Sequence, residues 1–105
     1  MKEISVKELK SWRDDQRDYQ LIDVREDIEY EVSNIGGTHI PLGRIMQEID
    51  KLDRDKPVII QCRSGKRSAQ AISLLEQREG FENLYNLKGG ILAWKDEIDP
   101  DLTVY

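Results

Sequence analysis

The sequence predicts an α/β domain built on a small, largely parallel sheet with helices on both faces. Three observations carry that prediction. Short apolar runs alternate with stretches of helical spacing along the chain. One run, Val58-Ile59-Ile60 continued by Gln61, is apolar without alternation, the pattern of a central parallel strand covered on both sides. The one cysteine, Cys62, follows that run directly, at the strand end beyond which such sheets bind ligands.

Ser5-Val6-Lys7-Glu8 matches a capping box, with Ser5 as N-cap, and Leu9 and Trp12 give the following helix an apolar side. Tyr19 to Val24 reads as a short, mostly buried strand, and Asp27 to Val32 as one or two helical turns. Gly36-Gly37 breaks the chain before a short strand at Thr38-His39-Ile40. The spacing of Ile45, Met46, Ile49 and Leu52 predicts a helix over 43–52. Beyond the cysteine, the helical pattern covers Ala69 to Glu79, with Ala69, Ile72, Leu75 and Glu76 along its inward stripe. Gly80 stands where a helix C′ glycine belongs. Leu84 to Leu87 is the last strand, and Gly89-Gly90 opens a helix with Ile91, Leu92 and Trp94. Pro100 ends regular structure.

The 105 residues suffice for one domain, residues 1–105, with one core. Apolar residues at 38% and charged residues at 35% suit a small folded domain rather than a disordered chain. No apolar run approaches the ~20 residues of a membrane span, and the N-terminus lacks the apolar core of a signal peptide, so a cytoplasmic location is expected. A formal charge of −5 gives no support to nucleic-acid binding. One cysteine excludes an internal disulfide and a Cys-rich zinc site, and one histidine, His39, argues against a His-based metal cluster. His39 is expected to be structural, Trp12 and Trp94 to be core or rim residues, and the acidic stretch from Asp50 to Asp55 to be solvated.

Cys62 opens the segment Cys-Arg-Ser-Gly-Lys-Arg-Ser. A thiolate is the reactive form of cysteine, and adjacent cations and a helix N-terminus both favour it. Arg63, Lys66 and Arg67 form a positive spot on an acidic chain, suited to an anionic small substrate or an acidic partner segment. The amides from Arg63 to Ser68 could converge on an anion or on a sulfur atom carried by Cys62, with Gly65 letting the backbone curl around it. Ser64 and Ser68 add hydroxyl donors, and Ser68 could also cap the next helix. Spacing separates two chemistries. A cysteine phosphatase loop places five residues between its cysteine and its arginine, which here would require arginine at Ser68; Arg67 comes one position too early. The shorter loop makes a smaller cradle, suited to a terminal sulfur.

These residues resemble the rhodanese (sulfurtransferase) family over nearly the whole chain. Leu21-Ile22-Asp23-Val24-Arg25-Glu26, followed by Glu29-Tyr30, is similar to its first motif, and Asn34 to Leu42 to its second. Cys62 to Ser68 is similar to the active-site loop of single-domain members, and Leu87 to Trp94 to the closing motif. The C-terminal part, with Glu97-Ile98-Asp99-Pro100 and Val104-Tyr105, resembles the C-terminal rhodanese domain of adenylyltransferases from molybdopterin and thiamine pathways. The resemblance implies that Cys62 takes sulfane sulfur as a persulfide from thiosulfate or a persulfidated protein. It passes that sulfur to cyanide in the assay, or to a thiol or sulfur-carrier protein in the cell. No cofactor is implied beyond the covalent persulfide on Cys62. Arg63, Ser64, Gly65, Lys66, Arg67 and Ser68 are implied to hold the substrate, Arg67 mainly through loop geometry and field.

Two departures stand out: Ser33-Asn34 precede Ile35 where the family commonly has a histidine, and His39 fills a position usually small or apolar. Asp23 and Arg25 could be an acid and a cation of the site, but the simpler reading is a buried hydrogen-bonding aspartate and an arginine paired with Glu26 or Glu29. A cysteine phosphatase or arsenate reductase, and a non-catalytic binding module on the same fold, are the alternatives of other classes.

Overall fold

The strands are β1 (Glu3–Ile4), β2 (Gln20–Asp23), β3 (Thr38–His39), β4 (Val58–Gln61) and β5 (Leu84–Leu87); the α-helices are α1 (Val6–Asp14), α2 (Asp27–Val32), α3 (Lys66–Glu79) and α4 (Gly90–Glu97). They come from a computed structural model that describes residues 1–105. All five strands are parallel and lie in the order β1-β5-β4-β2-β3. The predicted architecture is therefore observed, with β4 at the centre.

Alternate residues of each strand enter two cores. Ile22, Val58, Ile60 and Leu84 pack with Ala71, Ile72 and Leu75 of α3 on one face. Leu21, Ile59 and Leu87 pack with Leu9 of α1 and Ile91 and Trp94 of α4 on the other. This explains the unbroken apolar run of β4: every residue from Val58 to Gln61 is buried. β2 and β4 are neighbours but lead outward in opposite directions, to β3 and β5, so the crevice at their carboxyl ends is the topological switch point. Cys62 and Arg25 stand there.

The capping box of α1 is present, with Ser5 Oγ accepting from the Glu8 amide (3.1 Å) and Glu8 Oε1 from the Ser5 amide (3.2 Å). Gly80 ends α3 with φ 68°, as its position requires. Three expectations change. The helix over 43–52 is two 3-10 segments, Leu42–Gln47 and Ile49–Lys51. Ile45 and Leu52 are buried, with Met46 and Ile49 packed against them, so the apolar spacing is used. Between the segments Glu48 leaves helical backbone at φ −121°, and 3-10 winding lets the short stretch span more length per residue. Helix α3 starts at Lys66 rather than Ala69, because Gly65 caps it from inside the cysteine loop; Ala71, not Ala69, is its buried alanine. Strand β1 has no counterpart in the sequence reading: two residues carry no periodicity. The pairing is shown instead by the Asn86 and Lys88 amides, which donate to the carbonyls of Lys2 and Ile4 (2.9 Å each).

Candidate active site around Cys62

Leaving β4, the chain turns sharply at Gly65, whose φ of 101° places it in the left-handed region, and enters α3 at once. That turn folds the loop back over its own cysteine. Cys62 is only 1% exposed, and its Sγ receives the Gly65 amide at 3.1 Å and the Ser68 amide at 3.4 Å, with Ser68 Oγ at 3.4 Å. Of the amides from Arg63 to Ser68, those of Gly65 and Ser68 thus converge on the sulfur.

The carbonyls of the same loop face away from the sulfur and are taken up behind it. Helix α4 begins against them: the Ile91 amide donates to the Cys62 carbonyl (2.9 Å) and the Leu92 amide to that of Arg63 (3.1 Å). Asn86 Nδ2 donates to the Gly65 carbonyl (3.0 Å). With its amide so oriented, Asn86 Oδ1 accepts the Ser68 hydroxyl at 2.5 Å. Ser68 is therefore not a helix cap; it lies inside α3, buried, bridging Cys62 and Asn86. Asn86 was not among the sequence candidates. Its only signal is an amide side chain in an otherwise apolar strand that runs into Gly89-Gly90.

The thiol's acidity has a different origin from the one its neighbours suggest. Burial, the largest influence, pushes the Cys62 thiol up. The amides of Ser68, Gly65 and Ser64 oppose it, and the thiol is held below its ordinary value. Two of the three loop cations are engaged elsewhere. Arg67 makes a two-pronged ion pair with Glu29 on α2 (2.6 and 2.8 Å), and Arg63 Nε donates to the main-chain oxygen of Tyr105 (2.6 Å). Lys66 is exposed on the first turn of α3 and has no ion-pair partner, and Ser64 is exposed beside it.

Glu29 is held well down, to about 2, by the Arg67 hydrogen bonds first, against burial, with help from the Glu26 amide and the charges of Arg67 and Arg25. A depressed carboxylate stabilises the fold above its unfolded value near 4.5 and loses that contribution as pH falls through about 2. With side chains 31% and 19% exposed, solvent screens the pair, so about 1–2 kcal/mol is expected. Urea unfolding of wild type and Glu29→Gln between pH 6 and pH 2 measures it: the variant's stability should fall less steeply across the acid limb.

Asp23 and Arg25 are buried at the carboxyl end of β2. Arg25 is 2% exposed and pairs with Asp23 itself, through Nε (3.0 and 3.1 Å) and an Nη (2.8 Å), rather than with the carboxylates of Glu26 or Glu29. It touches Glu29 only at the main-chain carbonyl, and donates also to that of Ser33 (3.4 and 2.8 Å). Gln61 donates its amide to Asp23 Oδ2 (2.7 Å). His39 is structural: Nε2 lies 2.6 Å from the Arg25 carbonyl, so it carries the proton, and the ring stacks on Tyr30 at 4.5 Å. Trp94 is buried and Trp12 half-buried at the rim.

Fold and loop define a parallel α/β domain with a cysteine ringed by hydrogen-bond donors at its switch point. The chain belongs to the rhodanese family of sulfurtransferases: the model of the rhodanese-like domain matches residues 5–97. YtwF of Bacillus subtilis, whose name marks it provisionally as a sulfurtransferase, is 39% identical over 101 residues, covering 95% of this chain and 96% of YtwF. MoeZ of Mycobacterium tuberculosis, named a probable adenylyltransferase/sulfurtransferase, is 35% identical over 97% of this chain, which spans only 26% of MoeZ. The crystal structure of a rhodanese-like domain protein from Staphylococcus aureus superposes with a TM-score of 0.84 at 30% identity, covering 100% of this chain and 99% of that one. No helix is long and apolar enough to cross a membrane.

Proposed function

We propose that this chain is a sulfurtransferase in which Cys62 carries sulfane sulfur as a persulfide. The observation that carries the reading is the donor ring: a buried sulfur that receives the amides of Gly65 and Ser68 from its own loop, with the loop carbonyls described above bonded elsewhere. Such a ring stabilises the anionic sulfur at the start of a transfer and a persulfide anion at its end. The Cys62 thiolate attacks the outer sulfur of thiosulfate; the S–S bond breaks, sulfite leaves with the electron pair, and Cys62–S–S⁻ remains. A nucleophile then takes the outer sulfur: cyanide yields thiocyanate and regenerates the thiolate. In the cell a persulfidated protein would serve as donor and a thiol or a sulfur-carrier protein as acceptor, in keeping with the sulfurtransferase name of MoeZ. No cofactor is required, and a reducing cytoplasm suits a free thiol. Arg63, Ser64, Gly65, Lys66 and Ser68 surround the incoming donor, with Arg67 behind them.

Intact mass after thiosulfate treatment is the test. A gain of one sulfur atom on the wild type, removed by cyanide and absent in Cys62→Ser, is expected. A Cys62→Ser protein that kept the full thiocyanate-forming rate would end the proposal.

A further inference from the structure

Three positive side chains follow the cysteine, and the structure pairs one of them, Arg67, with a carboxylate. Arg67 is closed by the two-pronged Glu29 pair, and the guanidinium behind it, Arg25, is closed by Asp23. Arg63 is turned to the Tyr105 main-chain oxygen. Only Lys66, at the exposed start of α3, has no partner. Arg67 nevertheless belongs to the loop that wraps the sulfur: it adjoins Ser68, whose amide binds Sγ, and its guanidinium is held charged chiefly by the Glu29 hydrogen bonds, with a smaller share from Cys62. The pair adjoins the donor ring, and in the wild type its charges sum to zero, so it adds nothing to the charge of Lys66 and Arg63.

We propose that Glu29 is a specificity-determining residue: by cancelling Arg67 it shifts the preference of Cys62 away from the dianion thiosulfate and toward sulfane donors of low charge, alkyl or protein persulfides. The proposal rests on the sulfurtransferase reading above. In either transfer the Cys62 thiolate attacks the outer sulfur and the S–S bond breaks. With thiosulfate the leaving group is the sulfite dianion; with an alkyl persulfide it is a thiolate of single charge. A cradle of uncharged N–H dipoles serves both attacks. An uncancelled cation beside it would favour the dianion, since each added charge on the donor interacts with each added charge on the site. Glu29 holds that cation in check. Its carboxylate stays ionised at neutral pH, so the selectivity is built in rather than switched.

The experiment is a charge cycle on the pair. For wild type, Glu29→Gln, Arg67→Gln and the double variant, kcat/KM is measured with thiosulfate and with a small alkyl persulfide, cyanide being the acceptor. Taking the thiosulfate-to-persulfide ratio on one preparation cancels any loss of folded protein. Glu29→Gln should raise the ratio about tenfold, the equivalent of ~1.4 kcal/mol. Arg67→Gln should lower it, and the neutral double variant should return it to within about threefold of wild type. A purely structural pair would lower both rates together and leave the ratio still. An unmoved ratio in both single variants, with Cys62 still gaining sulfur from either donor, would overturn the specificity role alone. Absence of sulfur on wild-type Cys62 with both donors would instead overturn the sulfurtransferase reading, and this proposal with it.

Discussion

Arg25→Met is expected to destabilise the domain by about 3–5 kcal/mol. The reason is the aspartate it would abandon. Asp23 is wholly buried, and its carboxylate is held by Arg25 through Nε and Nη, by the Arg25 amide (3.0 Å) and by Gln61. Methionine fills much of the arginine's volume but leaves the carboxylate charged and short of its strongest partner. The carbonyls of Glu29 and Ser33 lose a donor as well. Against a total of about 5–15 kcal/mol for a typical domain, such a loss is a large fraction. Asp23→Leu combined with Arg25→Met should recover part of it, because no buried charge then remains. Urea unfolding at pH 7 measures all three proteins; a single variant within 1 kcal/mol of wild type would contradict the account.

Gly90→Ala is the second large effect, and it joins stability to reactivity. Gly90 has φ +59°, and a Cβ there would stand 2.3 Å from the Cys62 carbonyl oxygen and 2.6 Å from that of Arg63. No side chain yields here; the obstacle is the backbone of the cysteine loop. Left-handed backbone costs an alanine about 1–2 kcal/mol, and the overlap adds roughly 1–3 more. Relief requires α4 to move off the loop, which breaks the bonds from the Ile91 and Leu92 amides. The expected result is a loss of about 2–5 kcal/mol in urea unfolding, with the titration of Cys62 alkylation by iodoacetamide moved to higher pH as the amide ring loosens. An alanine variant with wild-type stability and alkylation profile would show that α4 does not brace the loop.

Much of this arrangement was legible in the residues. The run Val58-Ile59-Ile60 announced the central strand, and Cys62 after it announced the site, because burial on both faces leaves few residue types and a strand end leaves one place. The cations could be seen but not their partners. Arg67 meets Glu29 across 38 positions of sequence, and no spacing rule connects two elements whose packing is decided by the sheet between them. Asn86 was hidden for the same reason: its value lies in facing Gly65 and Ser68 from a neighbouring strand. The 3-10 winding of 42–51 escaped because apolar spacing reports which side chains are buried and not how tightly the backbone coils between them. Strand β1 and the Asp23 partnership of Arg25 complete the list of features that only the packed chain displays.

The binding of the loop carbonyls by α4 and Asn86 has a consequence for speed. Donors fixed from behind do not have to turn when the charge in front of them changes. On the proposed cycle the sulfur anion moves outward by one S–S bond when the cysteine is loaded and back when it is unloaded, and on its return it meets amides already aimed at Sγ. The socket therefore has little to rearrange when the charge returns to Cys62. A carrier of this kind is inherently reversible: the direction in which sulfur flows belongs to the partners' relative hold on it.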